Sequence, residues 1–312
     1  MTALTAALLL PHCANAQTYP NRPIRMLVSG VGGSSNFAAR LIGPALSEKL
    51  GQQVVIDNRG TGIVAIEIAA KSAPDGYTFI LNGSLLWLMP FMREGLSYEP
   101  LRDFTPVVLV IRAPNVLTVH PSVAARSVQE LIALAREKPG ALNYATSGAG
   151  NSNHLAAELF RTMAHLKIVQ INYKGAAPAI TDLLAGQVQI MFPTPGSVDA
   201  YVKAGRLRAL AVTSAEASAL LPGLPTVAAS GLPGYECVSL FAVFAPARTP
   251  AAFVDRMNRE IGAILSTPET KERFLKAGVE VVGGTPQLAA ATIKAEMTRW
   301  SKVIREAQIR DP

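Results

Sequence analysis

The chain has 312 residues, of which 49% are hydrophobic and 16% are charged, and its formal net charge is +7. This composition excludes a disordered chain, and the length is enough for two compact lobes because single hydrophobic cores stop growing at about 250–300 residues. The basic residues are dispersed and only 6% of the residues are aromatic, so a nucleic-acid partner is not expected.

The first sixteen residues have the pattern of a secretory signal peptide. A short apolar stretch, 3–10, is followed by the small-residue cleavage pattern of 14–16, although no Lys or Arg precedes the apolar stretch. We expect residues 1–16 to be a signal peptide cleaved after Ala16, which makes the mature protein periplasmic. The alternative is an apolar tail without a targeting function. Loss of Cys13 would leave Cys237 as the one remaining cysteine, so no internal disulfide is expected.

Strands and helices alternate through the first hundred residues. The hydrophobic pattern predicts strands at 24–28, 54–56 and 77–81 and helices at 37–50 and 63–71. This alternation is typical of a parallel sheet.

The same alternation continues after an apolar segment and ends in helices. Strands are predicted at 107–111, 116–119, 142–146, 168–172, 188–192, 210–212 and 240–244. Helices are predicted at 127–138, 153–164, 177–184, 197–204, 251–265, 269–277 and 286–307, with no strand after residue 250. We therefore predict an α/β fold of two lobes, each a mixed, mainly parallel sheet flanked by helices. Lobe 1 would comprise 17–117 plus 240–312 and lobe 2 would comprise 118–239, with two sequential domains as the alternative.

Two glycine- and serine-rich loops each follow a strand and lead into a helix. They are residues 29–36 (SGVGGSSN) and 146–154 (TSGAGNSNH). Glycine lets the backbone come close to a ligand, and a helix start offers unpaired N–H groups and the positive end of the helix dipole. Neither loop is a dinucleotide fingerprint or a P-loop. One loop of each lobe therefore points to an anion held between two lobes.

Catalytic and metal-binding patterns are weak in this chain. Ser152 and His154 lie close in sequence, but there is no G-x-S-x-G elbow and no orienting acid nearby. The four histidines show no metal-ligand spacing, and no cofactor or metal is expected. A Ser/His hydrolase stays open as the enzymatic alternative, and Trp87, Met89, Phe91 and Met92 are interpreted as core rather than pocket.

A series of short motifs carries a resemblance to a known family. They are YPNRPIR (19–25), LGQQVV (50–55) with NR (58–59), PDGYT (74–78), YATSG (144–148), HL (154–155), ELF (158–160), YKGAAPA (173–179), DLLAGQV (182–188), PTV (225–227) and GLPGYE (231–236). In this order and spacing the chain resembles the Bug-type periplasmic receptors of tripartite tricarboxylate transporters.

The resemblance implies a type II periplasmic binding fold that grips a ligand carboxylate with the amides and hydroxyls of both loops. By position, it implies ligand-binding residues within 32–36 and 147–152, with 175–178 nearby. The full set of expected ligand-binding residues is Gly32, Gly33, Ser34, Ser35, Asn36, Ser84, Ser147, Gly148, Gly150, Asn151, Ser152, His154, Gly175, Ala176 and Pro178. The implied partners are a small organic carboxylate and membrane transporter subunits, and we expect a monomer that is not an enzyme. A sensory receptor that presents its ligand to a membrane protein is the alternative to transport.

Three departures from the family pattern bear on the ligand. The first loop is one residue shorter, with Asn36 at a position usually held by Asp. The loop at 60–62 is also shortened, and Pro193 stands where an acid often follows the strand. Because an ammonium group needs an acceptor, the loss of two acids predicts a more anionic ligand or one without an amino group.

Overall fold

A computed structural model describes residues 19–28, 34–59, 62–147, 150–173 and 175–310. The expected signal peptide and its cleavage site, and Gly32, Gly33 and Gly148 of the expected ligand set, lie outside these residues. Within them, no helix is long and apolar enough to cross a membrane.

The strands form two mixed sheets. The first has the order β11-β4-β10-β3-β1-β2 and the second has the order β7-β6-β8-β5-β9. The strands of the first sheet are β1 (Ile24–Val28), β2 (Val54–Asn58), β3 (Thr78–Gly83), β4 (Phe104–Pro114), β10 (Val238–Pro246) and β11 (Glu280–Gly283). Those of the second sheet are β5 (Val116–Val119), β6 (Asn143–Thr146), β7 (Val169–Asn172), β8 (Ile190–Met191) and β9 (Arg208–Val212).

Helices flank both sheets. In chain order they are α1 (Ser34–Leu50), α2 (Gly62–Ala70), α3 (Leu85–Leu88), α4 (Pro100–Asp103), α5 (Val128–Glu137), α6 (Ser152–Met163), α7 (Ala176–Leu184), α8 (Pro195–Lys203), α9 (Ala251–Ser266), α10 (Pro268–Lys276) and α11 (Pro286–Glu306). Local capping sets several of their starts. Thr285 caps α11 by accepting a hydrogen bond from the Leu288 amide, and Pro286 occupies the first turn, where its missing N–H is not needed.

The parallel pairs are β1 with β2 and β3, and β6 with β7 and β8. The remaining pairs are antiparallel. In the first sheet β10 pairs in this way with β3 and β4, and in the second sheet β5 does so with β8 and β9. The mixed α/β fold is confirmed, but the prediction of mainly parallel sheets is wrong, since five of the nine strand pairs among the described residues are antiparallel.

The prediction of a purely helical end to the chain is wrong. Residues Glu280–Gly283 form β11, which pairs antiparallel with β4 at the edge of the first sheet. The sequence hides this strand because it has only four residues and lies between two helices. α10 and α11 therefore flank a strand that completes the first sheet.

Two connections lead the chain from one sheet to the other, and they are hydrogen-bonded to each other. Asn115 lies between β4 and β5, and its amide donates to the Thr213 hydroxyl at 2.7 Å. The Thr213 amide donates to the Asn115 carbonyl at 3.0 Å, and the Cys237 amide donates to the Thr213 carbonyl at 2.8 Å. Thr213 is fully buried. Through these three hydrogen bonds it joins the two connections to each other.

The largest hydrophobic cluster spans both sheets. It includes Leu27 and Phe244 from the first sheet and Leu117 and Phe192 from the second. Trp87, Met89 and Met92 are buried members of the same cluster and Phe91 packs against it, which confirms the interpretation of these residues as core. Burial of this size is the main stabilising contribution to such a fold.

Candidate functional site

A cavity of about 310 Å³ lies among elements of both sheets. Four helices of nine or more residues begin at its wall: α1 at Ser34, α6 at Ser152, α7 at Ala176 and α8 just after Thr194. The first turn of a helix has N–H groups without intrahelical partners, and its dipole favours negative charge. Four such starts around one space make it a site for an anion.

The described lining contains no Asp, Glu, Lys, Arg or His. Its polar members are hydroxyls and amides: Ser34, Ser35, Asn82, Ser84, Asn115, Ser147, Asn151, Ser152, Asn153, Thr194, Ser197 and Ser239. An anion here would be held by neutral donors rather than by a counter-ion. Burial of neutral donors costs less solvation than burial of a charged group, and hydrogen bonds to an ionised acceptor are stronger than neutral ones.

The loop from β6 to α6 is held by its own side chains. The Asn153 side chain makes two bonds: its Nδ2 donates to the Ser147 hydroxyl at 2.6 Å, and its Oδ1 accepts from the Ser147 backbone N–H at 3.3 Å. Asn151 donates to the Ser147 carbonyl at 3.1 Å. Because the Ser147 hydroxyl accepts from Asn153, its own proton remains available for a ligand.

Gly150 fits this loop for a geometric reason. Its φ is +70°, and an added Cβ would lie 2.8 Å from the side chain of Met92. Met92 is buried in the largest hydrophobic cluster. The backbone of the β6–α6 loop therefore lies directly against the Met92 side chain. Glycine combines the left-handed conformation with this close approach.

His154 lies behind the β6–α6 loop and not in the cavity wall. Its Nδ1 accepts a hydrogen bond from the Gly150 amide at 3.1 Å, which requires the neutral ring. Burial lowers the pKa of His154 below its usual value, the nearby Glu158 carboxylate opposes this shift, and Arg161 adds to it. Glu158 itself accepts from Tyr144 and pairs with Arg161. This group borders a second cavity beside the chain's end.

At the start of α1, Ser34 and Ser35 line the cavity, whereas Asn36 does not. The Asn36 side chain is buried, and its Oδ1 accepts from Arg40 Nε at 3.3 Å. Arg40 also donates to Asn58 at 3.1 Å. Asn36 therefore faces its own helix, and the serines before it face the cavity.

The remaining residues of the expected set fall into two groups. Ser84, Ser147, Gly150, Asn151, Ser152 and Ala176 line the cavity, and Gly175 and Pro178 do not. Gly175 has a φ of 119° and precedes α7, and Pro178 is exposed within α7. Gly175 and Pro178 form part of the start of α7. At this helix start Ala176 lines the cavity and these two residues do not.

Several lining residues have no place in the expected set. Asn82 on β3 accepts from the Gly83 amide at 2.8 Å, which fixes Nδ2 as its free end, and that atom has no partner among the described residues. The side-chain Nδ2 of Asn115 donates to the Phe192 carbonyl, and Asn115 Oδ1 likewise has no partner among the described residues. Asn82 ends a buried strand just before Ser84, a signal the sequence offered. Asn115 and Trp300 reach the cavity only through tertiary packing.

Within the described residues, no three or more His, Cys, Asp or Glu side chains are grouped closely enough to hold a metal ion. Cys237 lines the cavity as a buried free thiol, and burial raises its pKa, so it is protonated at neutral pH.

Comparison with known proteins agrees with this architecture. Residues 38–309 match the model of the tripartite tricarboxylate transporter family receptor. A relative described as a UPF0065 protein of Pseudomonas sp. (strain P51) is 39% identical over 93% of this chain and 88% of its own length. Protein BugT of Bordetella pertussis is 36% identical over 97% and 94%.

A solved structure from R. palustris, determined with adipate, is 38% identical, with a TM-score of 0.81 over 94% of this chain and all of that one. Matches of this extent identify the family and its two-lobed periplasmic binding fold. The chain belongs to the tripartite tricarboxylate transporter receptors of the Bug type.

Proposed function

We propose that this protein binds a small organic carboxylate in the cavity between its sheets and delivers it to a tripartite tricarboxylate-type membrane transporter. The observation that carries the proposal is the convergence of four helix starts on a cavity whose described lining has no ionisable side chain. Adipate in the R. palustris relative supports a carboxylate ligand.

The ligand has no amino group under this proposal. A buried ammonium ion is stabilised best by a carboxylate, and the described wall has none, since its acceptors, Asn115 Oδ1 among them, are neutral. Pro193 is part of this wall, and Asn36 lies behind it bonded to Arg40. Tight binding of aspartate would contradict this part of the proposal.

The chain's division into lobes follows from the sheets. We place the boundaries at Asn115 and Cys237, where the chain leaves one sheet for the other, each two residues before the sequence-based limits of 117 and 239. Closure about these crossings would enclose the ligand. The proposal also includes export with cleavage after Ala16 and a monomeric mature protein.

The proposal excludes catalysis. His154 Nδ1 is engaged by the Gly150 amide, so this nitrogen does not act as a base toward Ser152. Incubation with carboxylate esters tests the hydrolase alternative, since turnover lost in His154→Ala would support it. A sensory function differs from transport only in the membrane partner, so co-purification with transporter subunits separates the two.

A thermal-shift panel of mono-, di- and tricarboxylates with adipate as reference tests the binding function, because a ligand stabilises the fold by mass action. Replacement of both Ser147 and Ser152 by alanine should weaken binding at least tenfold, since about 1.4 kcal/mol of lost donor energy is a factor of ten. The matched control is the pair Ser266→Ala and Ser301→Ala, two helical serines that do not line the cavity. Equal affinity of both double variants would refute the site.

A further inference from the structure

Part of the cavity wall is continuous with the hydrophobic core. Leu88, Leu155, Cys237, Val238 and Trp300 line the cavity and belong to the largest hydrophobic cluster, against which Leu85 packs. We call these six side chains the apolar wall. They come from α3, α6, the second crossing with β10, and α11.

The apolar wall offers almost no hydrogen-bonding capacity. The Trp300 indole N–H donates to Glu296 at 3.0 Å, away from the cavity, and the Cys237 thiol lies 3.8 Å from the Ser152 carbonyl. Two buried side-chain groups of the described lining have no partner, the Asn115 Oδ1 acceptor and the Asn82 Nδ2 donor, and neither belongs to the apolar wall. The apolar wall therefore suits a hydrocarbon part of a ligand. A ligand hydroxyl placed against it would find few hydrogen-bond partners.

We propose that the apolar wall selects carboxylates with a hydrocarbon body over hydroxylated carboxylates of the same length. This inference rests on the proposed function and adds the chemistry of the ligand's body. A hydroxyl moved from water against this wall loses its hydrogen bonds, which is unfavourable, whereas a methylene in the same place is favourably buried. The cavity of about 310 Å³ is at the small end of ligand sites, so a body of a few carbons fills it.

Matched ligand pairs test the proposal by calorimetry on the mature protein. The pairs are adipate with galactarate, hexanoate with gluconate, and cyclohexanecarboxylate with quinate. We expect the hydrocarbon member to bind at least tenfold more tightly in every pair that shows binding. Equal or tighter binding of a hydroxylated member would overturn the inference and leave the carboxylate function standing. Absence of binding in all pairs and in the carboxylate panel would overturn both.

Variants of the wall locate the preference. Leu85 is half-buried, and Leu85→Gln should reduce the preference at least threefold, whereas Leu101→Gln on the exposed α4 should leave it unchanged. Val238→Thr adds a hydroxyl at constant shape, with Val243→Thr on the same strand but outside the cavity as its control. If wall and control variants show the same ratio of affinities for the hydrocarbon and the hydroxylated ligand, the apolar wall is not the source of the preference. If a wall variant fails to fold, the ligand pairs measured on the wild-type protein decide the inference.

Discussion

The β6–α6 loop and the start of α1 reach the same cavity from different sheets, and they are held in different ways. In the first, Asn153 and Asn151 bond to Ser147, and His154 accepts from Gly150. At the start of α1, Asn36 bonds to Arg40 and contributes nothing to the wall. The described hydrogen bonds of the β6–α6 loop therefore act on Ser147 directly, whereas those of Asn36 lie behind the serines of the α1 start.

Rigid donors bind an anion more tightly than mobile ones, because less freedom is lost on binding. We therefore expect affinity to depend mainly on the β6–α6 loop. The α1 start, which differs from the family at Asn36, should affect the choice of ligand more than the strength of binding. Three perturbations test this difference, in order of expected effect.

Gly150→Ala should have the largest effect. An alanine at φ +70° costs about 1 kcal/mol, and its Cβ also has to displace the buried Met92, so we expect at least tenfold weaker adipate binding and a lower Tm. Gly205→Ala is the matched control, since its φ is +69° with nothing within 4 Å of the added Cβ. It should lower Tm alone, and equal losses of affinity in both variants would contradict the Met92 contact.

Asn153→Ala compared with Asn36→Ala measures the difference between the two regions directly. The first change removes both side-chain bonds to Ser147, and we expect about fivefold weaker binding, which corresponds to about 1 kcal/mol. The second removes a bond to Arg40 behind the wall, and the affinity should change less than twofold. A larger effect at Asn36 in calorimetric titrations would reverse the comparison.

The smallest effect concerns pH. The pKa of His154 is lowered in the folded protein, mainly by burial, whereas an unfolded histidine takes up its proton near pH 6.5. Below about pH 6.5 the unfolded state therefore binds more protons, and the free energy of unfolding falls as pH falls, until the folded ring is also protonated. His154→Asn keeps an acceptor for the Gly150 amide and should flatten this slope in Tm measurements, whereas exposed His165→Asn should not.

The sequence could predict the parts that depend on local pattern. Ser147 and Ser152 follow a buried strand and begin a helix, and they line the cavity as their position suggests. α1 begins at Ser34 rather than at 37, because the polar residues 34–36 form its first turn and carry no hydrophobic periodicity. His154 is predicted as a ligand-binding residue from its place in a motif, and its side chain borders the second cavity rather than the first.

Other features depend on contacts distant in the sequence. Asn115 reaches the cavity because Thr213 ties the two crossings together, a pairing over 98 residues. Trp300 does so because α11 packs against β4 and also reaches α6. β11 pairs with residues 109–112 of β4, on the edge opposite the one that pairs with β10. No local pattern contains this information.

The position of Trp300 has a consequence for the order in which the protein is made. The described cavity wall begins at Ser34 and ends at Trp300, so a ribosome has to synthesise almost the whole chain before the wall is complete. A chain that ends before residue 300 lacks the part of the wall that Trp300 supplies. The wall is therefore complete only after α11 has packed against β4.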